Sequence, residues 1–114
     1  MKLINSFKYA VAGFFYCIKH ERNFRIHLIS AVAVIGFAIF LELSAYEIIA
    51  IIFAIALVLI CEMFNTSIER IVDNLTDAHN ENAKIAKDVA AGAVLISAIF
   101  AAVVGIVIFG GRLL

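Results

Sequence analysis

The sequence has no proline, only two cysteines and little charge: Asp, Glu, Lys and Arg make up 16% of its 114 residues. Without proline, nothing obliges a helix to kink or break. Two cysteines cannot staple a small secreted module. Scarce charge beside a 65% apolar content excludes a disordered chain. Nine basic and nine acidic residues cancel, so no bulk attraction to nucleic acid exists. Catalytic devices are missing as well. No Gly-x-x-x-x-Gly-Lys-Ser/Thr loop and no Rossmann glycine fingerprint is present. His20-Glu21 does not begin a zincin motif, because Phe24 stands where the second histidine belongs. His20, His27 and His79 lack the spacing of a compact zinc set. Ser67 has no neighbouring histidine to activate it.

What the sequence does have is hydrocarbon. A soluble domain of 12.5 kDa has too much surface to hide a 65% apolar content. From Leu28 to Leu41 only Ser30 interrupts an apolar run, from Ile48 to Cys61 nothing does, and from Val89 to Gly111 only Ser97 does. A membrane-spanning helix needs about 20 mostly apolar residues. The third run reaches that alone, and the first two reach it with their flanks. The expected spans are therefore 24–43, 46–65 and 89–111. Ahead of them, Leu3, Phe7, Val11, Phe14 and Ile18 recur at helical spacing among Lys2, Asn5, Lys8 and Lys19. That pattern predicts an amphipathic surface helix over residues 1–22. The whole is an all-α membrane protein of one domain, with no removable signal peptide expected.

Positive residues orient it. Lys2, Lys8, Lys19, Arg22, Arg25, Arg70, Lys84 and Lys87 fall on one side, and Arg112 alone on the other. The expectation is a multi-pass membrane protein with a cytoplasmic N-terminus. Cys17 and Cys61 then lie near the cytoplasmic face and read as small apolar residues. On the third span, Ala93, Ser97, Ala101 and Gly105 form a small-residue stripe, suited equally to packing within a protomer or between protomers.

The chemistry gathers where the second span ends, in Cys61-Glu-Met-Phe-Asn-Thr-Ser-Ile-Glu-Arg-Ile-Val-Asp73. With Glu62 at zero on a helix, Asn65 lies near roughly 300°, Glu69 near roughly 340° and Asp73 near roughly 20°. Three carboxylates and an amide share one face. Like charges at that spacing repel, so the stripe is costly unless cations occupy it, and carboxylates at a membrane boundary are functional by default. Hard oxygen donors suit Mg²⁺, which takes one or two carboxylates together with waters and phosphates. Glu62, nearest the apolar run, fits a base that accepts a proton from an alcohol. Glu69, further into water, fits a metal ligand. Capping or pairing between helices is the structural alternative. Glu21, before the first span, and Lys87-Asp88, before the third, stand at the same membrane face and could converge there. Lys87 would contact phosphates with Asp88 orienting it, or act merely as a snorkelling anchor.

The segment Glu62-Met-Phe-Asn-Thr-Ser-Ile-Glu69-Arg-Ile-Val-Asp73 resembles the signature of the prokaryotic diacylglycerol kinase family of small membrane lipid kinases. Ala83-Lys-Ile-Ala-Lys87-Asp88-Val-Ala-Ala-Gly92-Ala-Val-Leu95 extends the resemblance, as do Phe7-Lys-Tyr9 and Glu21-Arg-Asn-Phe-Arg-Ile-His27. The resemblance implies a homotrimer of three-span protomers, each with a surface helix, using ATP and Mg²⁺ to phosphorylate a lipid alcohol. It implies Glu62 as the base at the lipid substrate and Asn65 as a residue orienting the reacting groups. Glu21 and Glu69 are implied to hold the metal on ATP. Tyr9, Ala78, His79, Asn80, Lys87 and Asp88 are implied to contact the nucleotide. Asp73 matches the last acid of the motif. Some members carry an Arg near the N-terminus where this chain has Lys2, which cannot fork bidentately.

Within the family, the Glu21–His27 segment and the Asn65-Thr66 pair resemble the undecaprenol kinase branch, with diacylglycerol as the alternative acceptor. Two readings from other classes compete: a small cation-coupled transporter, which wants its carboxylates near the midplane, and a non-enzymatic assembly subunit, which gives the acids no reason to share a face.

Overall fold

The structure, a computed structural model, describes residues 2–75 and 80–114. Four helices follow one another: α1 (Leu3–His20), α2 (Arg22–Phe40), α3 (Ala45–Leu75) and α4 (Glu81–Leu113). Helices α2, α3 and α4 are long and apolar enough to cross a membrane. No strand occurs among the described residues. Helix α3 is central and packs against the other three. The chain is a slab of 51 × 37 × 21 Å. It is all-helical and built to span a membrane.

At the α1–α2 corner the chain turns at Glu21, which is extended. Arg25 secures that turn by donating from Nη1 to the carbonyls of Ile18 (2.9 Å) and Lys19 (3.0 Å). Those carbonyls end a helix and have no partner within it. Phe24 is fully buried and meets the ring of Phe14 edge-on at 5.4 Å. Aromatic pairs favour this geometry. Only the C-terminal half of α1 packs in this way, with Cys17 buried against α3. Leu3, Ile4, Phe7 and Val11 are bare, Leu3 being 74% exposed. An apolar face left open on a basic helix is what a headgroup plane would cover.

The connection between α2 and α3 is tighter than its composition advertised. Helix α2 stops at Phe40, short of the expected 43, because Glu42 adopts a left-handed conformation (φ 56°). The N–H groups of Leu43 and Glu42 bond back to the carbonyls of Ala38 (3.2 Å) and Ile39 (3.0 Å). This is a Schellman ending with Glu where glycine is usual. Leu43 and Ala38 are buried together with Ile51. Ser44 then opens α3: its Oγ accepts from Glu47 N–H (3.2 Å), and Glu47 Oε1 accepts from Ser44 N–H (2.8 Å). That reciprocal pair is a capping box. Glu47 also binds Arg112 at the end of α4 (2.8 Å). Ser44→Ala should therefore lower the unfolding free energy by about 1 kcal/mol. A denaturant titration of helicity in detergent checks this.

Helices α3 and α4 meet through small residues, with Ala54, Ala90 and Ser97 buried. Ser97 donates to the carbonyl of Val94 (2.7 Å), which satisfies the one polar group of the third span within its own helix. Of the small-residue stripe, Ser97, Ala101 and Gly105 are buried or half-buried within the chain, and Ala93 is exposed. Three of its four members serve packing inside one chain. Outer faces of α4 are bare, including Leu95, Ile96, Ile106 and Val107.

Candidate active site

Helix α3 does not stop where its apolar stretch ends. It continues from Cys61 to Leu75 and carries the polar residues of 62–73 on a rigid rod. The acids consequently cluster at one end of the apolar part, away from the midplane that a transporter would use. Glu62 is buried, with 3% exposure, and Thr66, one turn on, is buried too. Asn65 Nδ2 donates to Glu69 Oε1 (3.0 Å). That bond fixes the Asn65 amide and leaves its Oδ1 buried and without a partner among the described residues. Thr66 Oγ1 is likewise unpartnered there.

Two other elements approach. Glu21, half-buried at the α1–α2 corner, lies within Coulomb range of Glu62, and so does Glu69. The three acids named from sequence thus share one neighbourhood. From α2, His27 places Nε2 3.4 Å from Glu62 Oε1. Sequence reasoning passed over His27 as a partner. The available signal was a histidine one turn inside an apolar span, since a polar group at that depth needs a companion.

The basic residues are arranged otherwise than expected. Asp88 does not orient Lys87; it binds Lys84, one turn earlier on its own helix (2.7 Å). Lys87 binds Asp73 on α3 (2.8 Å). Adjacent residues on a helix point in different directions, whereas residues four apart face each other. Asp73, the last acid of the stripe, therefore ties α3 to α4. Asn80 accepts from Ala83 N–H (3.0 Å) and caps α4. Tyr9 sits exposed on α1. Ala78 and His79 lie outside the described residues.

Near this end, α1 and α3 enclose a shallow groove lined by Gly13, Tyr16, Thr66 and Arg70. Arg70 sits over the Tyr16 ring, 5.4 Å from its centre, in a cation–π contact. Burial pushes the Cys17 thiol up, the neighbourhood of Glu21 adding to the effect. A thiol held protonated is a poor nucleophile, in keeping with a small apolar role. A second groove of about 390 Å³ runs among α2, α3 and α4 from His27 past Ala31, Ala54 and Val58 towards Phe109. It is almost wholly apolar and begins beside Glu62.

A divalent metal fits this donor set only as a shared guest. Among the described residues, no three His, Cys, Asp or Glu side chains could enclose an ion by themselves. Mg²⁺ does not need such a cage: one or two carboxylates suffice when phosphates and waters complete the octahedron. Glu69, with Glu21 nearby, offers the right hard oxygens, and the orphaned Asn65 Oδ1 is a further one.

The sequence is similar to those of known proteins. The family model described as prokaryotic diacylglycerol kinase matches residues 8–109. A diacylglycerol kinase of Synechocystis sp. is 47% identical over 104 residues, covering 90% of this chain and 59% of that protein. An undecaprenol kinase of Bacillus subtilis is 39% identical over 108 residues, covering 95% of this chain and 88% of that protein. A diacylglycerol kinase of Haemophilus influenzae is 35% identical over 111 residues, with 97% and 91% covered. The chain thus spans little more than half of the Synechocystis relative and most of the other two. With its acid-bearing α3 and three apolar helices, the chain belongs to the prokaryotic diacylglycerol kinase family.

Proposed function

We propose that this protein transfers the γ-phosphoryl group of ATP to the hydroxyl of a membrane lipid alcohol, and that the alcohol is undecaprenol. The observation that carries the reaction class is Glu62, a buried carboxylate at the inner end of an apolar helix, with Glu69 and Glu21 beside it. Phosphoryl transfer asks little covalent work of a protein; positioning and charge neutralisation supply most of the effect. Glu62 accepts the proton as the lipid oxygen attacks. Asn65, fixed by Glu69, orients the reacting groups. Glu21 and Glu69 hold Mg²⁺, which when bound offsets the charge of the phosphates. Lys87 contacts phosphate oxygens, and Tyr9, Asn80 and Asp88, with Ala78 and His79, complete the nucleotide contacts. The apolar groove beside His27 would let a hydrocarbon chain lie along the helices with its terminal hydroxyl at Glu62.

Undecaprenol is favoured by the Glu21–His27 segment and the Asn65-Thr66 pair, and by the Bacillus relative, named undecaprenol kinase and matched over 88% of its length. Diacylglycerol is the second reading, supported by the Synechocystis relative, a diacylglycerol kinase. The bare flank of α4 supports assembly as a homotrimer, in which neighbouring protomers finish the nucleotide site. The bias of Lys and Arg supports a cytoplasmic N-terminus, where ATP is found.

Purified protein incubated with labelled ATP, Mg²⁺ and separate pools of the two lipids tests the proposal. Label in undecaprenyl phosphate is expected, label in phosphatidic acid selects the second reading, and label in neither rejects the lipid kinase. Lys87→Ala is expected to raise the KM for ATP severalfold. Asp73→Asn, which removes only the tether between α3 and α4, should leave that KM near wild type. Steady-state titration with ATP distinguishes them.

A further inference from the structure

Glu62 has a partner that the reaction scheme above does not use. We infer that His27 is a positioning residue for Glu62, an inference that rests on the lipid kinase reading. The Glu62 side chain is 5% exposed, so water has little part in holding it. Asn65, the nearest amide on its own helix, is committed to Glu69. Glu21 and Glu69 are acids and can offer an ionised carboxylate no donor. His27 Nε2, at 3.4 Å, is the polar group that α2 presents to Glu62 Oε1. The distance is at the long edge of hydrogen-bond reach, and such contacts often tighten once substrate is bound. An N–H held against one oxygen fixes the plane of the carboxylate and leaves the other oxygen for the lipid proton. His27 also lines the apolar groove at the end nearest Glu62, so its ring sets the direction from which a lipid headgroup arrives. A buried carboxylate without that contact is free to rotate about its terminal torsion, and a misplacement of about 1 Å can cost about 10²-fold in rate.

The test compares His27→Phe, which keeps a ring and removes the donor, with His27→Gln, whose amide nitrogen occupies nearly the place of Nε2. Each is assayed with undecaprenol and ATP, beside wild type and Glu62→Gln. His27→Phe is expected to lower kcat by roughly 10–100-fold with the KM for ATP unchanged. His27→Gln should recover to within a few fold of wild type. In the Glu62→Gln background, His27→Phe should add almost nothing, because groups that act as one unit are non-additive.

Equal losses in the Phe and Gln variants would overturn the inference, as would a Phe variant with full activity. If the Phe variant loses its folded helicity in detergent, the Gln variant alone decides: wild-type-like turnover upholds the N–H, and a lost turnover in a folded protein overturns it. A wild-type protein that phosphorylates neither lipid defeats the underlying reading instead, and is seen before any variant is compared.

Discussion

Glu62→Gln should abolish turnover while the protein folds and assembles as before. The substitution keeps shape and hydrogen-bonding capacity and removes only the ability to take a proton. Loss of a positioned general base costs typically about 10²–10⁴-fold in rate. The surroundings make this variant a clean probe. Glu62 is buried between His27 on α2 and the carboxylates of Glu21 and Glu69, so replacing a charged side chain by a neutral isostere also relieves like-charge crowding. Stability should hold or rise. A rate collapse in a fully folded protein therefore locates the chemistry, and unfolding does not explain it. Labelled phosphate transfer to the lipid, measured beside a thermal unfolding curve in the same detergent, gives both numbers. Turnover within a few fold of wild type would remove Glu62 from the role of base.

The legible part of this molecule was the part written in periodicity. Runs of apolar residues at Leu28–Leu41, Ile48–Cys61 and Val89–Gly111 announce spanning helices because lipid leaves a backbone no other option than to satisfy itself. The acidic stripe was legible for a related reason: Glu62, Asn65, Glu69 and Asp73 lie three or four apart, and a helix turns that spacing into one face. The structure bears this out in the Asn65–Glu69 bond. Contacts between helices were a different matter. Nothing local in the sequence ties His27 to Glu62 or Lys87 to Asp73, since each pair meets only after the spans have packed. Sequence adjacency suggested Lys87 with Asp88, and helical geometry prevented it.

The turn between α2 and α3 shows a third case. Ser44-Ala-Tyr-Glu47 carries the capping-box spacing, a Ser three residues ahead of a Glu. That signal was present and went unused. Glu42 in a left-handed conformation was not signalled at all, because glycine or asparagine is what that position ordinarily advertises.

Glu69→Gln separates charge from hydrogen bonding about two helical turns from the base. A glutamine at 69 still offers an oxygen to Asn65 Nδ2, so the 3.0 Å bond that holds the amide survives. What disappears is a full negative charge on a hard oxygen. Mg²⁺ retains most of its waters and leans on few protein carboxylates, so one lost carboxylate is a large fraction of what the chain contributes. Loss of even a supporting partner at a metal site costs roughly 10–100-fold in affinity, and loss of the ligand itself should cost no less. The half-saturating Mg²⁺ concentration at fixed ATP is expected to rise by at least tenfold, with much of the rate restored at high Mg²⁺. Glu62→Gln should show no such rescue, because added metal cannot replace a proton acceptor. The two variants thus divide the stripe into its two duties. An unchanged Mg²⁺ titration in Glu69→Gln would assign this acid to holding Asn65 alone and leave Glu21 to bind the metal from the α1–α2 corner.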